Sequence, residues 1–151
     1  MKKILIMGGN QFVGKEIVKK FLEKDYTIYI LNRGTRKNIE EVIFFKVDRD
    51  NFIEMENILK NIDVDIIIDV SAYTEEQVDI LHKVMKNRFK QYILISSASV
   101  YNDIESTPAN EESQTGENLI WGDYAKNKYL AEKKTIENSK IYNFKYTIFR
   151  P

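Results

Sequence analysis

Tyr124-Ala125-Lys126-Asn127-Lys128 places a phenol and an ammonium four residues apart, on one face of a helix. An ammonium beside a phenol favours the phenolate and draws its titration toward working pH. Such a tyrosine can take a proton from a substrate hydroxyl, or return one to a carbonyl oxygen. A serine hydroxyl nearby would hold the substrate oxygen and stabilise its developing charge. Ile95-Ser96-Ser97-Ala98-Ser99-Val100-Tyr101 supplies candidates, with Ser97 the first choice and Ser99 the second. Serines at a strand end also serve simply to satisfy backbone groups. With nine tyrosines and 23 basic residues, a Tyr-x-x-x-basic match is expected by chance about once. A second match does occur, Tyr129 with Lys133. Five residues turn a helix face by roughly 140°, so the two pairs cannot serve one site. Tyr124 stands near its helix start, next to the long polar loop, and Tyr129 reads as a packing or interface residue.

The second constellation is Gly8-Gly9-Asn10-Gln11-Phe12-Val13-Gly14, directly after the apolar run Ile4-Leu5-Ile6-Met7. A strand feeding a glycine turn that opens a helix is a phosphate cradle. The backbone approaches the ligand where side chains are missing, and unpaired helical N–H groups face it. In a first βα unit this predicts a dinucleotide. The pattern is Gly-x-x-Gly-x-x-Gly with one departure, because Gln11 stands at the middle glycine; its amide could itself lie near the phosphates. Strand two ends at Asn32-Arg33-Gly34-Thr35-Arg36-Lys37. Asn32 occupies the place where a carboxylate would bind the adenosine ribose of NAD. Arg33 and Arg36 can meet a 2′-phosphate instead, which favours NADP over NAD, although an asparagine also serves a hydroxyl. Otherwise Arg33, Arg36 and Lys37 are a solvated loop. Asp48, at the end of strand three, is either an acceptor for the adenine amino group or the cap of the next helix.

These residues need a frame, and the apolar pattern supplies one. Strands are expected near residues 4–7, 27–31, 42–47, 65–70, 92–96 and 146–149, rich in Ile and Val and nearly continuous in apolarity. That is the pattern of strands buried on both faces of a parallel sheet. Helical spacing occupies 12–24, 52–61, 74–88 and 119–138, and in the first of these Phe12/Val13, Ile17 and Phe21 should face the sheet. The alternation predicts an α/β fold: a Rossmann-type doubly wound parallel sheet of about six strands with helices on both faces. The stretch from Leu31 to Val42 is too short and polar for a full helix. The long loop from Ser97 to Asn118 follows a central strand, where such folds place active sites.

Composition narrows the function classes. The 151 residues suit one domain with a real core. Lys+Arg and Asp+Glu are both 23, a formal charge of zero, which gives nucleic acid or an anionic membrane no support as partners. There is no cysteine, so no thiolate metal site or disulfide, which fits a cytoplasmic location. A single histidine, His82, argues against histidine metal sites and triads. No stretch approaches the roughly 20 apolar residues of a membrane helix, and the N-terminus enters a strand rather than a signal peptide.

Together these motifs resemble the short-chain dehydrogenase/reductase superfamily, in particular its extended branch of NAD(P)-dependent epimerases and dehydratases. Gly8-Gly9-x-x-Phe12-Val13-Gly14 is similar to that branch's fingerprint less its middle glycine. Ser96-Ser97-Ala98-Ser99-Val100-Tyr101 is similar to its serine segment, and Tyr124-x-x-x-Lys128 with Leu130-Ala131-Glu132 to its active-site helix. Asp69-Val70-Ser71-Ala72-Tyr73 resembles the segment lining the cofactor site, and Asn32-Arg33-Gly34 an atypical subgroup with basic residues after strand two. The resemblance implies a catalytic Ser97, a proton shuttle at Tyr124, and a Lys128 that tunes it and binds nicotinamide ribose. It implies cofactor contacts from Ser71, Ala72 and Tyr73, a small-molecule hydroxyl or carbonyl substrate such as a nucleotide sugar, and a homodimer through helices 74–88 and 119–138. It also implies that residues 1–151 are the cofactor-binding domain, with most of a C-terminal substrate domain continuing beyond Phe149-Arg150-Pro151. Alternatives are a redox-sensing NAD(P) module without turnover, or an RNA-associated relative.

Overall fold

Strand β1 (Lys2–Met7) alternates its side chains across the sheet, yet Ile4, Leu5, Ile6 and Met7 are all buried. A strand apolar on both sides must be covered on both sides, and the rest of the chain does this. The computed structural model describes residues 1–35, 39–102 and 108–151. After β1 come α1 (Phe12–Leu22), β2 (Tyr26–Asn32), β3 (Ile43–Lys46), α2 (Phe52–Leu59), β4 (Ile66–Asp69), α3 (Glu75–Met85), β5 (Gln91–Ile95), a 3₁₀ turn (Ala98–Val100), α4 (Gly122–Tyr142) and β6 (Lys145–Phe149). The sheet order is β3-β2-β1-β4-β5-β6 and every pair is parallel. The connections diverge between β1 and β4, the switch point at whose carboxyl edge such folds open a crevice.

The two faces have separate cores. Leu5, Met7, Ile67, Tyr92 and Leu94 pack with Met55 and Leu59 of α2, Val78, Leu81 and Met85 of α3, and Ala131 of α4. Ile4, Ile6, Ile28, Ile30 and Ile68 pack against Val18 of α1 on the other face. On that face a groove of about 620 Å³ runs between α1 and strands β4, β5 and β6, lined by Ile17, Phe21, Ile68, Ile93 and Phe149.

Local chemistry sets the helix limits. Asn51 Oδ1 accepts the Glu54 N–H (3.2 Å) and its Nδ2 donates to Glu54 Oε1 (3.0 Å), a reciprocal cap that starts α2. The capping role open to Asp48 therefore belongs to Asn51. Thr74 caps α3, and Asn143, left-handed at φ 53°, ψ 58°, ends α4 four residues beyond the expected boundary. Two expectations need correction. Ile17 and Phe21 pack toward the sheet, but Phe12 is 80% exposed and Val13 48%, because the buried stripe of α1 is Gly14 and Val18. Leu119, Ile120 and Trp121 precede α4 rather than begin it. Among the described residues no helix is long and apolar enough to cross a membrane, and no cluster of side chains could hold a metal.

Candidate active site

A cavity of about 600 Å³ opens at the carboxyl ends of β1 and β4. Its floor is the β1–α1 turn. Gly8 has φ +85°, and a Cβ there would stand 2.8 Å from Ser71 Cβ. A Cβ on Gly14 would lie 2.3 Å from the Gly8 carbonyl oxygen. Both glycines are demanded by packing, which brings α1 hard against the turn. Gly9 lies beneath it, against Val18 and Ile30. Gln11 adopts φ −146°, ψ 148°, an extended conformation open to any residue, so the replacement of the middle glycine is itself unstrained; the left-handed non-glycine residue of this turn is its neighbour Phe12, at φ 43°. The Gln11 side chain makes no cap bond and α1 has no acidic residue in its first turn, so the helical N–H groups remain open to an anion. Asn10, Gln11, Phe12 and Val13 all line the cavity.

The adenosine end lies beyond β2 and β3. Asn32 Oδ1 accepts the Gly34 N–H at 2.7 Å, which fixes the amide and leaves Nδ2 buried without a partner among the described residues. Asn32, Arg33 and Asp48 line the wall. Arg36, expected beside them, and Lys37 lie outside the described residues.

Behind this wall is a buried polar cluster. Arg49 pairs with Asp69 through two bonds, Nη1 to Oδ1 at 2.9 Å and Nη2 to Oδ2 at 2.7 Å, and Nη1 also donates to Ser71 Oγ at 2.7 Å. Asp69 further accepts the Ser71 and Ala72 N–H groups and the Tyr92 hydroxyl. Burial alone would raise the Asp69 carboxyl; Arg49, helped by Tyr92 and the backbone donors, holds it below the usual carboxylate range. The cluster fixes the β4–α3 turn, so that Tyr73 lines the cavity and the Ala72 carbonyl points at α4.

Lys128 receives that carbonyl. Its Nζ donates to Ala72 O at 2.7 Å and to Ile95 O at 3.0 Å, joining α4 to the ends of β4 and β5. Burial lowers its pKa, opposed by attraction to Asp69 and Glu132. Tyr124 lies one turn earlier, lines the same cavity, and stacks on Tyr73 at 5.8 Å between ring centroids. Tyr129 and Lys133 instead pair with each other, the ammonium 5.7 Å from the ring centroid. Of the serine segment, Ser96 lines the cavity, buried and with its hydroxyl unpartnered among the described residues. The Ser97 hydroxyl accepts the Ser99 N–H at 3.2 Å and caps the 3₁₀ turn, and Ser99 is buried.

Arg49 and Ser96 are the two residues whose roles the sequence did not single out. The signal for Arg49 was its partner: a carboxylate closing the apolar strand Ile66-Ile67-Ile68-Asp69 requires a buried cation or donors. The glycine cradle, the open helix N-terminus and a crevice reaching from Asn32 to Lys128 fit an extended dinucleotide across the switch point.

This fold recurs in known proteins. The chain aligns at 25% identity over 126 residues with the chloroplast stem-loop binding protein of 41 kDa b from Arabidopsis thaliana, covering 74% of this chain and 33% of that protein. Its fold matches the UDP-Glc/GlcNAc 4-epimerase of Campylobacter jejuni with a TM-score of 0.88 at 19% identity, over 99% of this chain and 53% of that one. It matches the Thermus thermophilus UDP-glucose 4-epimerase, solved in complex with NAD, with a TM-score of 0.85 at 19% identity, over 98% and 54%. The chain thus spans about a third of the curated relative and about half of these structures. The sequence profile of the NAD dependent epimerase/dehydratase family matches residues 4–151, and the chain belongs to that family.

Proposed function

We propose that residues 1–151 are the dinucleotide-binding domain of an epimerase-, dehydratase- or reductase-type enzyme acting on a hydroxyl or carbonyl substrate of the sugar type. The observation that carries this is a single cavity leading from Asn32 and Arg33, past the glycine turn, to Tyr124 and Lys128. Gly8, Gly9 and Gly14 shape the floor for a pyrophosphate, with Asn10, Gln11, Phe12 and Val13 around it. The free Asn32 Nδ2 is a donor, suited to a phosphate or hydroxyl oxygen rather than to a hydroxyl proton, and with Arg33 it favours NADP over NAD. Asp48 offers an acceptor to the adenine amino group. Ser71, Ala72 and Tyr73 support the nicotinamide side. The cofactor, when bound, supplies hydride acceptance and donation at the substrate carbon. Tyr124 Oη moves the accompanying proton, Lys128 places positive charge on the same helix face, and a hydroxyl from Ser96 or Ser97 orients the substrate oxygen. Two copies paired through α3 and α4 complete the reading.

Trp121, the sole tryptophan, lies one turn before Tyr124 and gives a direct assay. Reduced nicotinamide takes up tryptophan emission, so titration with NADPH should quench Trp121 saturably, and more tightly than NADH does. Arg33→Ala should erase the difference. Preference for NADH would overturn the 2′-phosphate reading, and no saturable quenching by either would overturn the function. A second reading, dinucleotide binding without turnover, is favoured by the Ser97 hydroxyl being engaged as a cap; Tyr124→Phe abolishes turnover under the first reading only.

A further inference from the structure

Three consecutive apolar side chains, Leu119, Ile120 and Trp121, stand in solvent at 92, 78 and 58% exposure. Their backbone is nevertheless held in place, and one buried residue holds it. Asn118 Oδ1 accepts the N–H groups of Ile120 (2.9 Å) and Trp121 (3.2 Å). Its main-chain carbonyl accepts the Gly122 N–H at 2.8 Å. Its Nδ2 donates 2.8 Å to the carbonyl of Tyr101. Two donors on one side and an acceptor on the other leave the amide a single orientation.

Those partners belong to different parts of the site. Tyr101 ends the segment that carries Ser96, Ser97 and the 3₁₀ turn. Trp121 immediately precedes α4 and Gly122 begins its first turn, and the Trp121 carbonyl accepts the N–H of Tyr124 at 3.2 Å. That turn has no side-chain cap of its own, and Gly122 enters it at φ +51° with open space where a Cβ would stand. An uncapped first turn frays unless something outside it satisfies its donors. The bonds from Gly116 N to Val100 O (2.9 Å) and Asn102 N to Gln114 O (3.0 Å) hold the preceding strap to the serine segment. Asn118 is the side chain that bonds to both the serine segment and the helix start.

We infer that Asn118 is a positioning residue: it clasps the start of α4 to the serine segment and so sets where the Tyr124 phenol stands in the cavity. The inference rests on Tyr124 being the proton-transferring group. A displacement of about 1 Å at such a group is enough to slow a reaction on the order of 100-fold.

The test uses two variants of the full chain. Asn118→Asp keeps an acceptor for Ile120 and Trp121 but sets an oxygen against the Tyr101 carbonyl, so it opens the clasp alone. Asn118→Ala removes every side-chain bond. Both are read, without cofactor, by the steady-state anisotropy of Trp121 and by the ring ¹³C resonance of Tyr124, assigned with Tyr124→Phe. The expected result for Asn118→Asp is lower Trp121 anisotropy and a shifted Tyr124 resonance. With NADPH added, its quenching amplitude changes at unchanged affinity, since the phosphate cradle is elsewhere. An unmoved Tyr124 resonance in Asn118→Asp, whatever the loss of stability, overturns the inference. Failure of the parent protein to bind NADPH would instead overturn the proposed function and leave the cofactor-free readouts to decide the clasp.

Discussion

The single histidine should make this protein lose stability in mild acid, well above the carboxylate range. His82 is fully buried between Phe89, Tyr92 and Phe144, with its ring 4.3 Å from Tyr92 and 4.7 Å from Phe144 by centroid. Asn138 Nδ2 faces both Asp79 Oδ1 (3.2 Å) and His82 Nδ1 (3.3 Å). The carboxylate demands a donor there, so Nδ1 is the acceptor and Nε2 carries the proton, without a hydrogen-bond partner among the described residues. Burial pushes the His82 pKa from 6.5 down to about 3, against the pull of Asp69 and Asp79 and with a small push from Arg49. Above pH 6.5 both folded and unfolded states hold a neutral imidazole and nothing is lost. Below it the unfolded chain takes a proton that the folded one refuses, so stability falls as pH falls until the folded group titrates near 3. At about 1.4 kcal/mol per pH unit, the loss is about 2–3 kcal/mol between pH 6.5 and 4.5, and about 5 kcal/mol in all. The carboxylates held low, Glu16, Asp65, Asp69 and Asp79, start from ordinary values of 4.5 or 3.8, so their losses add only lower down. Urea unfolding at a series of pH values reads the slope, and His82→Phe should flatten it between pH 6.5 and 4.5 whatever it does to absolute stability. A parent protein equally stable at pH 7 and 5, or a variant with the parent's slope, would refute the assignment.

Two further substitutions probe the frame of the site. Gly14→Ala would drive a Cβ to 2.3 Å from the Gly8 carbonyl, so the turn must open; NADPH affinity, read by Trp121 quenching, should fall at least ~10-fold, about 1.4 kcal/mol. Asp69→Asn leaves the Arg49 guanidinium buried without its counter-charge and should cost about 3–5 kcal/mol in urea unfolding, more than the pair of changes Arg49→Met with Asp69→Leu, which removes both charges together.

The sequence disclosed what depends on local pattern. The inner strands were legible because burial on both faces makes each an apolar run, and the half-exposed edge strands β3 and β6 because they are rich in β-branched and aromatic residues. Helices α1, α2 and α3 were legible because their apolar residues recur at three to four, whereas the buried face of α4 is mostly small and polar, with Ala125, Lys128, Ala131, Glu132 and Thr135. What was hidden depends on contacts across the chain. Leu119-Ile120-Trp121 reads as the apolar start of a helix, but the start is set by Asn118, whose donor bond goes to Tyr101, 17 residues away. The sequence points to Ser97 first and Ser99 second; that Ser97 caps the 3₁₀ turn while Ser96 lines the cavity was hidden, because neighbouring serines look alike until that turn exists. Arg49 sits among Asp48 and Asp50, as a solvated loop residue would; only the β3–β4 separation across the sheet brings it onto Asp69.

The glycine fingerprint shows why a departure from a motif must be judged position by position. Gly8 is held by φ +85° and by Ser71, and Gly14 by the Gly8 carbonyl; either would be required to build the turn with no ligand in view. The middle position is different. Gln11 is extended and at the surface, so its Cβ meets no fold constraint, and it bears only on how closely a ligand can come. The turn therefore accommodates the replacement, and Gln11 brings a side-chain amide to the cavity where a glycine would offer only backbone. Gly8 and Gly14 are thus evidence for the fold, and the identity of residue 11 bears on the ligand. Reading the altered motif as a weakened whole would have merged two questions that the geometry keeps apart.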